Sequence, residues 1–171
     1  MSSKDQNLSA GSKENLKSVE DFSFGIVVSE WNEDITFALR DECIKTLTDN
    51  GAKEENVHVH YVPGAFEMPL GARIIMGQHK LDAVICLGCV IKGETDHDIY
   101  INHAVASGIM NLGLTTKKPV IFGLLTPNNK QQALDRAGGK YGNKGVEAAT
   151  TAIKMVHMND PEHHLKKSIG F

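Results

Sequence analysis

A histidine between two carboxylates, Asp96-His97-Asp98, follows directly on Lys92-Gly-Glu-Thr95, where an apolar run gives way to a helical pattern. Imidazole titrates near neutrality, so His97 can take up a proton and return it within one reaction cycle. A helix N-terminus favours the neutral ring, which accepts protons, whereas Asp96 and Asp98 favour the charged one. The Glu94-Thr95 turn can offer backbone N–H groups to a phosphate, with the Glu94 carboxylate turned away. Arg136 has the planar fork that clamps a phosphate, although a residue of its type near a helix end is also dipole-favoured as structure. Trp31 offers an indole on which a planar heteroaromatic ligand could stack, or which could pack at a subunit contact. Glu67 can accept hydrogen bonds from a polyol, or serve as a first-turn helix acid. These residue types suit proton transfer, ring stacking and anion binding.

Other chemistries are poorly supplied. Neither a Walker motif nor G-x-G-x-x-G is present. Cys86-Leu-Gly-Cys89 has the form C-x-x-C, but residues i and i+3 of a strand point to opposite faces, so the sulfurs should diverge. No second C-x-x-C or matched histidine pair completes a zinc site. His58 and His60 share a strand face, for which two ligands alone are weak evidence of metal.

The elements that must hold the reactive residues alternate strand with helix four times. Phe22–Ser29 reads as the first strand and Trp31-Asn32 ends it. A helix follows from Glu33 or Asp34 to about Asp49, with Ile35, Leu39, Cys43 and Leu47 as its apolar stripe and Asn50-Gly51 as its stop. Val57–Val62 is a strand nearer an edge, and 63–69 a rigid turn whose Pro69 suits the first turn of a helix to about Gln78. Val84–Ile91 has the unbroken apolar character of a central strand, followed by a helix from His97 to about Leu112 that Thr95 or Asp96 could cap. Val120–Leu125 is the fourth strand. A helix after Asn129 ends near Ala137-Gly138-Gly139, 139–145 is a turn, and the last helix runs from Val146 to about His157. This alternation predicts a parallel sheet with helices on both faces and right-handed crossovers. Trp31-Asn32, residues 64–67, residues 92–97 and residues 122–126 then gather on one sheet edge, the usual place for a ligand.

At 171 residues the chain suits one domain, expected at 22–158 between a flexible N-terminal arm, 1–21, and a mobile tail, 159–171. A net charge of -3 without a basic stripe argues against nucleic acid, and no run is long enough to cross a membrane. The polar first twenty residues lack an export signal, and three cysteines, an odd number, suit a reducing cytoplasm.

Gly64-Ala-Phe-Glu67, Gly88-Cys-Val-Ile-Lys-Gly-Glu-Thr-Asp-His97, Pro119-Val-Ile-Phe-Gly-Leu-Leu-Thr126, Arg136-Ala-Gly and Gly142-Asn-Lys-Gly145, in this order, resemble the 6,7-dimethyl-8-ribityllumazine synthase family over about residues 22–158. The resemblance implies a flavodoxin-like α/β/α sandwich with a four-stranded parallel sheet. It implies condensation of 5-amino-6-(D-ribitylamino)uracil with 3,4-dihydroxy-2-butanone 4-phosphate, without cofactor or metal, as the penultimate step of riboflavin synthesis. It would have Trp31 stack on the pyrimidine, and Ala65, Phe66 and Glu67 hold the pyrimidine and ribityl chain. Cys89, Val90 and Ile91 would line the floor, Phe122 would close the far side, and Glu94, Thr95 and Arg136 would take the phosphate. His97 would move protons. It further implies a pentamer, or an icosahedral shell of pentamers, with sites shared between neighbours and riboflavin synthase as a further partner. Three residues depart from the family's pattern: Trp31 where Phe is common, Asp98 where an aromatic commonly follows the histidine, and Pro127 where Thr is more usual. The rival reading is a non-catalytic flavin- or lumazine-binding protein, or a shell scaffold, of the same fold.

Overall fold

The computed structural model describes residues 16–160. The chain runs through β1 (Phe24–Ser29), α1 (Glu33–Asp49), β2 (Val57–Val62), α2 (Met68–Gln78), β3 (Ala83–Cys89), α3 (His97–Thr116) and β4 (Val120–Leu125). It then forms α4 (Lys130–Asp135), a short hairpin of β5 (Ala137–Gly139) and β6 (Gly142–Asn143), and α5 (Lys144–Asn159). The four main strands are parallel in the order β2-β1-β3-β4. Every residue of β1 and β3 is buried, as two central strands covered on both faces require.

The alternation of side chains along the strands builds two cores. Phe24, Ile26, Val28, Ile85 and Leu87 face α1 and α5, meeting Leu39, Cys43, Ala149 and Ile153. Val27, Val84, Cys86 and Leu124 face α2 and α3, meeting Met68, Ile75, Val105 and Ile109. The result is the flavodoxin-like three-layer sandwich expected from the sequence. Gly145 permits the close approach of α5 to α1, since a Cβ there would run into the Leu39 carbonyl. Cys86 and Cys89 fall in opposite cores, and burial pushes both thiols up to about 12, leaving them protonated and inert.

Several boundaries differ from expectation. Val19, placed in the arm, is fully buried, and its N–H bonds to the Asn50 carbonyl at 2.9 Å, so the packed body starts before β1. The rest of the arm, 1–15, and tail residues 161–171 lie outside the described residues. β3 ends at Cys89, not Ile91. Beyond it the Val90 and Lys92 N–H groups bond to the Leu125 and Pro127 carbonyls. α3 passes through Gly113 and stops only where Lys117 turns left-handed at φ 54°, so it reaches Thr116 instead of Leu112. Asp96 is its N-cap residue but makes no side-chain capping bond. The stretch expected as a turn after α4 contains the hairpin, and α5 starts at Lys144, where Asn143 Oδ1 accepts from the Gly145 N–H at 2.7 Å.

His58 and His60 lie on the α2 side of edge strand β2 and meet His79, just past α2. The His79 ring stacks on His58 at 3.9 Å and meets His60 edge-on at 5.7 Å. Among the described residues, no three His, Cys, Asp or Glu side chains are arranged to hold a metal ion. Burial, then the neighbouring His79 and His60, hold His58 below the ordinary histidine value of 6.5. The unfolded chain therefore binds more protons than the folded one as the pH falls. Stability is fully present above the unfolded value and declines as the pH drops through 6.5 and then the folded value. Urea midpoints should accordingly fall between about pH 7.5 and pH 5.5, and His58→Gln should reduce that fall. An identical pH dependence in the variant would show that this cluster does not contribute.

Candidate active site

The strand order reverses between β1 and β3, and the loops leaving these two strands part to leave a crevice. Asn32 shapes one side. It adopts φ 63°, a left-handed conformation that asparagine tolerates, and its Nδ2 donates to the Cys89 carbonyl at 3.0 Å. The Glu30 and Trp31 N–H groups bond to the carbonyls of Val62 and Pro63, which ties the loop after β1 to the loop after β2. That second loop continues as a short 3-10 turn, Ala65–Glu67, with Ala65 buried and Phe66 and Glu67 exposed. Pro69 then starts α2 where its missing N–H costs nothing.

Together these loops and the start of α3 enclose a cavity of about 820 Å³. Trp31, 73% exposed, stands on its rim, and Ala65, Phe66 and Glu67 form one wall. Cys89, Val90 and Ile91 form the floor, while Thr95 and His97 stand at the N-terminus of α3. The unbonded N–H groups of that first helical turn favour an anion there. The cavity therefore offers an indole and a phenyl ring to a planar ligand, a carboxylate to hydroxyls, and an exposed imidazole beside an anion-favouring helix end.

The profile of the 6,7-dimethyl-8-ribityllumazine synthase family matches residues 21–160. A protein of Cytophaga hutchinsonii named 6,7-dimethyl-8-ribityllumazine synthase is 52% identical over 156 residues, covering 91% of this chain and 98% of its own length. Its namesake from Bacteroides fragilis is 56% identical over 133 residues, covering 78% of this chain and 93% of its own. The chain belongs to the 6,7-dimethyl-8-ribityllumazine synthase family. The lumazine synthase match takes in every strand and helix of the fold, and with them all the residues around the cavity.

Three residues that the sequence linked to the site stand outside this cavity. Glu94 is exposed in the turn before α3. Phe122, 38% exposed on edge strand β4, borders a separate apolar groove with Met110, Leu114, Met155 and Met158. Arg136 ends α4, where its Nη2 pairs with Glu147 at 2.7 Å and its Nη1 donates to the Tyr141 carbonyl at 3.2 Å. Lys144 pairs with the other Glu147 oxygen at 3.1 Å. Within one chain, then, the aromatic wall and the histidine come together, whereas Phe122 and the guanidinium lie elsewhere.

Sequence reading placed Asn32 at the ligand edge without giving it a role, and missed Asp98, Tyr100 and Ile101 as cavity residues. Tyr100 and Ile101 follow His97 by three and four positions, which puts them near it on the helix surface, so spacing alone could have found them. Asn32 carries no such signal, because its part depends on a carbonyl 57 residues away.

Proposed function

We propose that the cavity between the β1 and β3 loops is where this chain carries out its family's reaction. The chain is a transferase that joins 5-amino-6-(D-ribitylamino)uracil to 3,4-dihydroxy-2-butanone 4-phosphate, making 6,7-dimethyl-8-ribityllumazine for riboflavin biosynthesis. The observation that carries the site assignment is the convergence of Trp31, Phe66, Glu67 and His97, from three successive strand ends, on one cavity.

The pyrimidine stacks on Trp31 and Phe66 while Glu67 accepts hydrogen bonds from the ribityl hydroxyls. The 5-amino nitrogen attacks the ketone carbon, and the adduct loses water to give an imine. Loss of a proton from the adjacent carbon lets phosphate leave, and the resulting enol becomes a second ketone. The ribityl-bearing nitrogen attacks that ketone, and a second water leaves as the ring closes. His97 takes up and returns the protons of these steps, and the first turn of α3 holds the phosphate next to it.

Phe122, Glu94 and Arg136 belong to the same reaction if a neighbouring copy brings some of them to the cavity. We read the assembly as a ring of five in which Trp31, Glu67 and His97 of one subunit meet Phe122 and Arg136 of the next. The exposure of Trp31 and Phe122, apolar groups that a neighbour would cover, supports this reading. The three buried, unpaired cysteines support a reducing cytoplasm. Closure of pentamers into an icosahedral shell, and passage of product to riboflavin synthase, are extensions that light scattering and co-sedimentation test directly.

Mixing both substrates with pure protein should produce the absorbance and fluorescence of the lumazine. Tight flavin binding without product would support the non-catalytic reading instead.

A further inference from the structure

Beyond the ladder that joins β1 to β3, the loops leaving these strands bond away from each other. The Glu30 and Trp31 N–H groups turn to the β2 side, and the Val90 and Lys92 N–H groups turn to the β4 side. Among the described residues, the hydrogen bond that spans the gap runs from Asn32 Nδ2 to the Cys89 carbonyl, at 3.0 Å. It joins the residue after Trp31, on the cavity rim, to the first residue of the floor. Asn32 makes this bond from a left-handed backbone, φ 63° and ψ 48°, that glycine would adopt at less cost.

Neither the helix nor the sheet accounts for this side chain. Asn32 is the N-cap residue of α1, where asparagine ordinarily accepts from the first-turn N–H groups, yet it makes no side-chain capping bond. Its backbone carbonyl accepts from the Ile35 and Thr36 N–H groups without help from the amide. β1 and β3 are already paired from Phe24 and Ala83 to Val28 and Leu87, and both are packed into the two cores. What the bond does fix is the distance between the loop carrying Trp31 and the floor of Cys89, Val90 and Ile91. A planar ring that enters between these two sides stacks well only at the right spacing. Trp31 is largely exposed, so within its own chain the backbone on either side places it, through its N–H bond to the Pro63 carbonyl and the Asn32 latch.

We propose that Asn32 is a positioning residue whose amide, bonded to the Cys89 carbonyl, sets the spacing between the Trp31 indole and the cavity floor and with it the affinity for ribitylaminouracil. The choice of ligand rests on the function proposed above. Trp31 is the one tryptophan of the chain, so its fluorescence reports on this loop alone. The test combines that emission in ligand-free protein, titration of the full chain with ribitylaminouracil, and steady-state kinetics for both substrates. Asn32→Gly accepts the left-handed turn but deletes the amide. Asn32→Asp keeps the shape but turns an oxygen, not an N–H, toward the Cys89 carbonyl, and covers the case in which Asn32→Gly does not fold. Each should weaken ribitylaminouracil binding roughly three- to tenfold, the range for one lost hydrogen bond. Each should also make Trp31 emission less anisotropic and more readily quenched by acrylamide, with KM for the butanone phosphate held within about twofold. Asn32→Gly that binds ribitylaminouracil like wild type with unaltered emission overturns the proposal, because the turn alone would then suffice. Loss of folding in both variants, or equal weakening of both substrates, also overturns it and assigns the bond to the fold as a whole. Wild-type protein that fails to bind ribitylaminouracil overturns the functional reading, and the emission of the ligand-free variants still decides whether Asn32 positions Trp31.

Discussion

His97→Ala will slow turnover roughly 10²–10⁴-fold while leaving the fold intact. His97 is exposed at the first position of α3 and is absent from both apolar cores, so its removal takes little from stability. In the mechanism proposed above, what is lost is the group that moves protons while an imine forms, phosphate leaves and a ring closes. Imine formation from an amine and a ketone also proceeds unaided, which places the expected loss toward the lower end of that range. The measurement is kcat for the variant, with its size checked by light scattering. A loss below about twofold in a correctly assembled variant would remove proton transfer by His97 from the mechanism.

Trp31→Ala and Arg136→Ala proteins, each poorly active alone, should regain activity when refolded together. Trp31 stands on the cavity rim, whereas Arg136 is held by Glu147 and the Tyr141 carbonyl beside α5. In a head-to-tail ring each interface combines one half-site from each neighbour. At equal amounts, roughly a quarter of interfaces should pair an intact Trp31 half with an intact Arg136 half. Activity should return to about that fraction of wild type if assembly is random and sites act independently. If the mixture shows only the average of the two variants, both residues serve one site within one chain. The division between neighbours would then be abandoned.

These two experiments divide along the line between what was legible in the chain and what was not. β2 and β4 begin and end where the sequence placed them, because a period of two and flanking turn residues are local signals. The divergence of Cys86 and Cys89 followed from the same period. The start of α3 at His97 was equally local, set by the glycine turn and the change of periodicity before it. The end of α3 was not. The sequence placed it near Leu112, yet the helix continues to Thr116, and Lys117 then turns left-handed with its carbonyl accepting from the Asn159 side chain of α5.

By itself, then, the sequence determined the alternation of elements, the central character of β3 and the gathering of reactive types at strand ends. These follow from apolar periodicity and turn chemistry, which act over a few residues. Only the tertiary structure decided which of those types share a cavity. The reversal of strand order between β1 and β3 opens the crevice, and the Asn32–Cys89 bond fixes its wall. The packing stripe of α3 turns Asp98 inward. Phe122 sits on edge strand β4, and Arg136 lies beside α5 at Glu147, so neither joins the cavity in its own chain. The physical reason is that strand order and helix facing are set by long-range burial of two cores at once, and no local pattern in the chain encodes that choice.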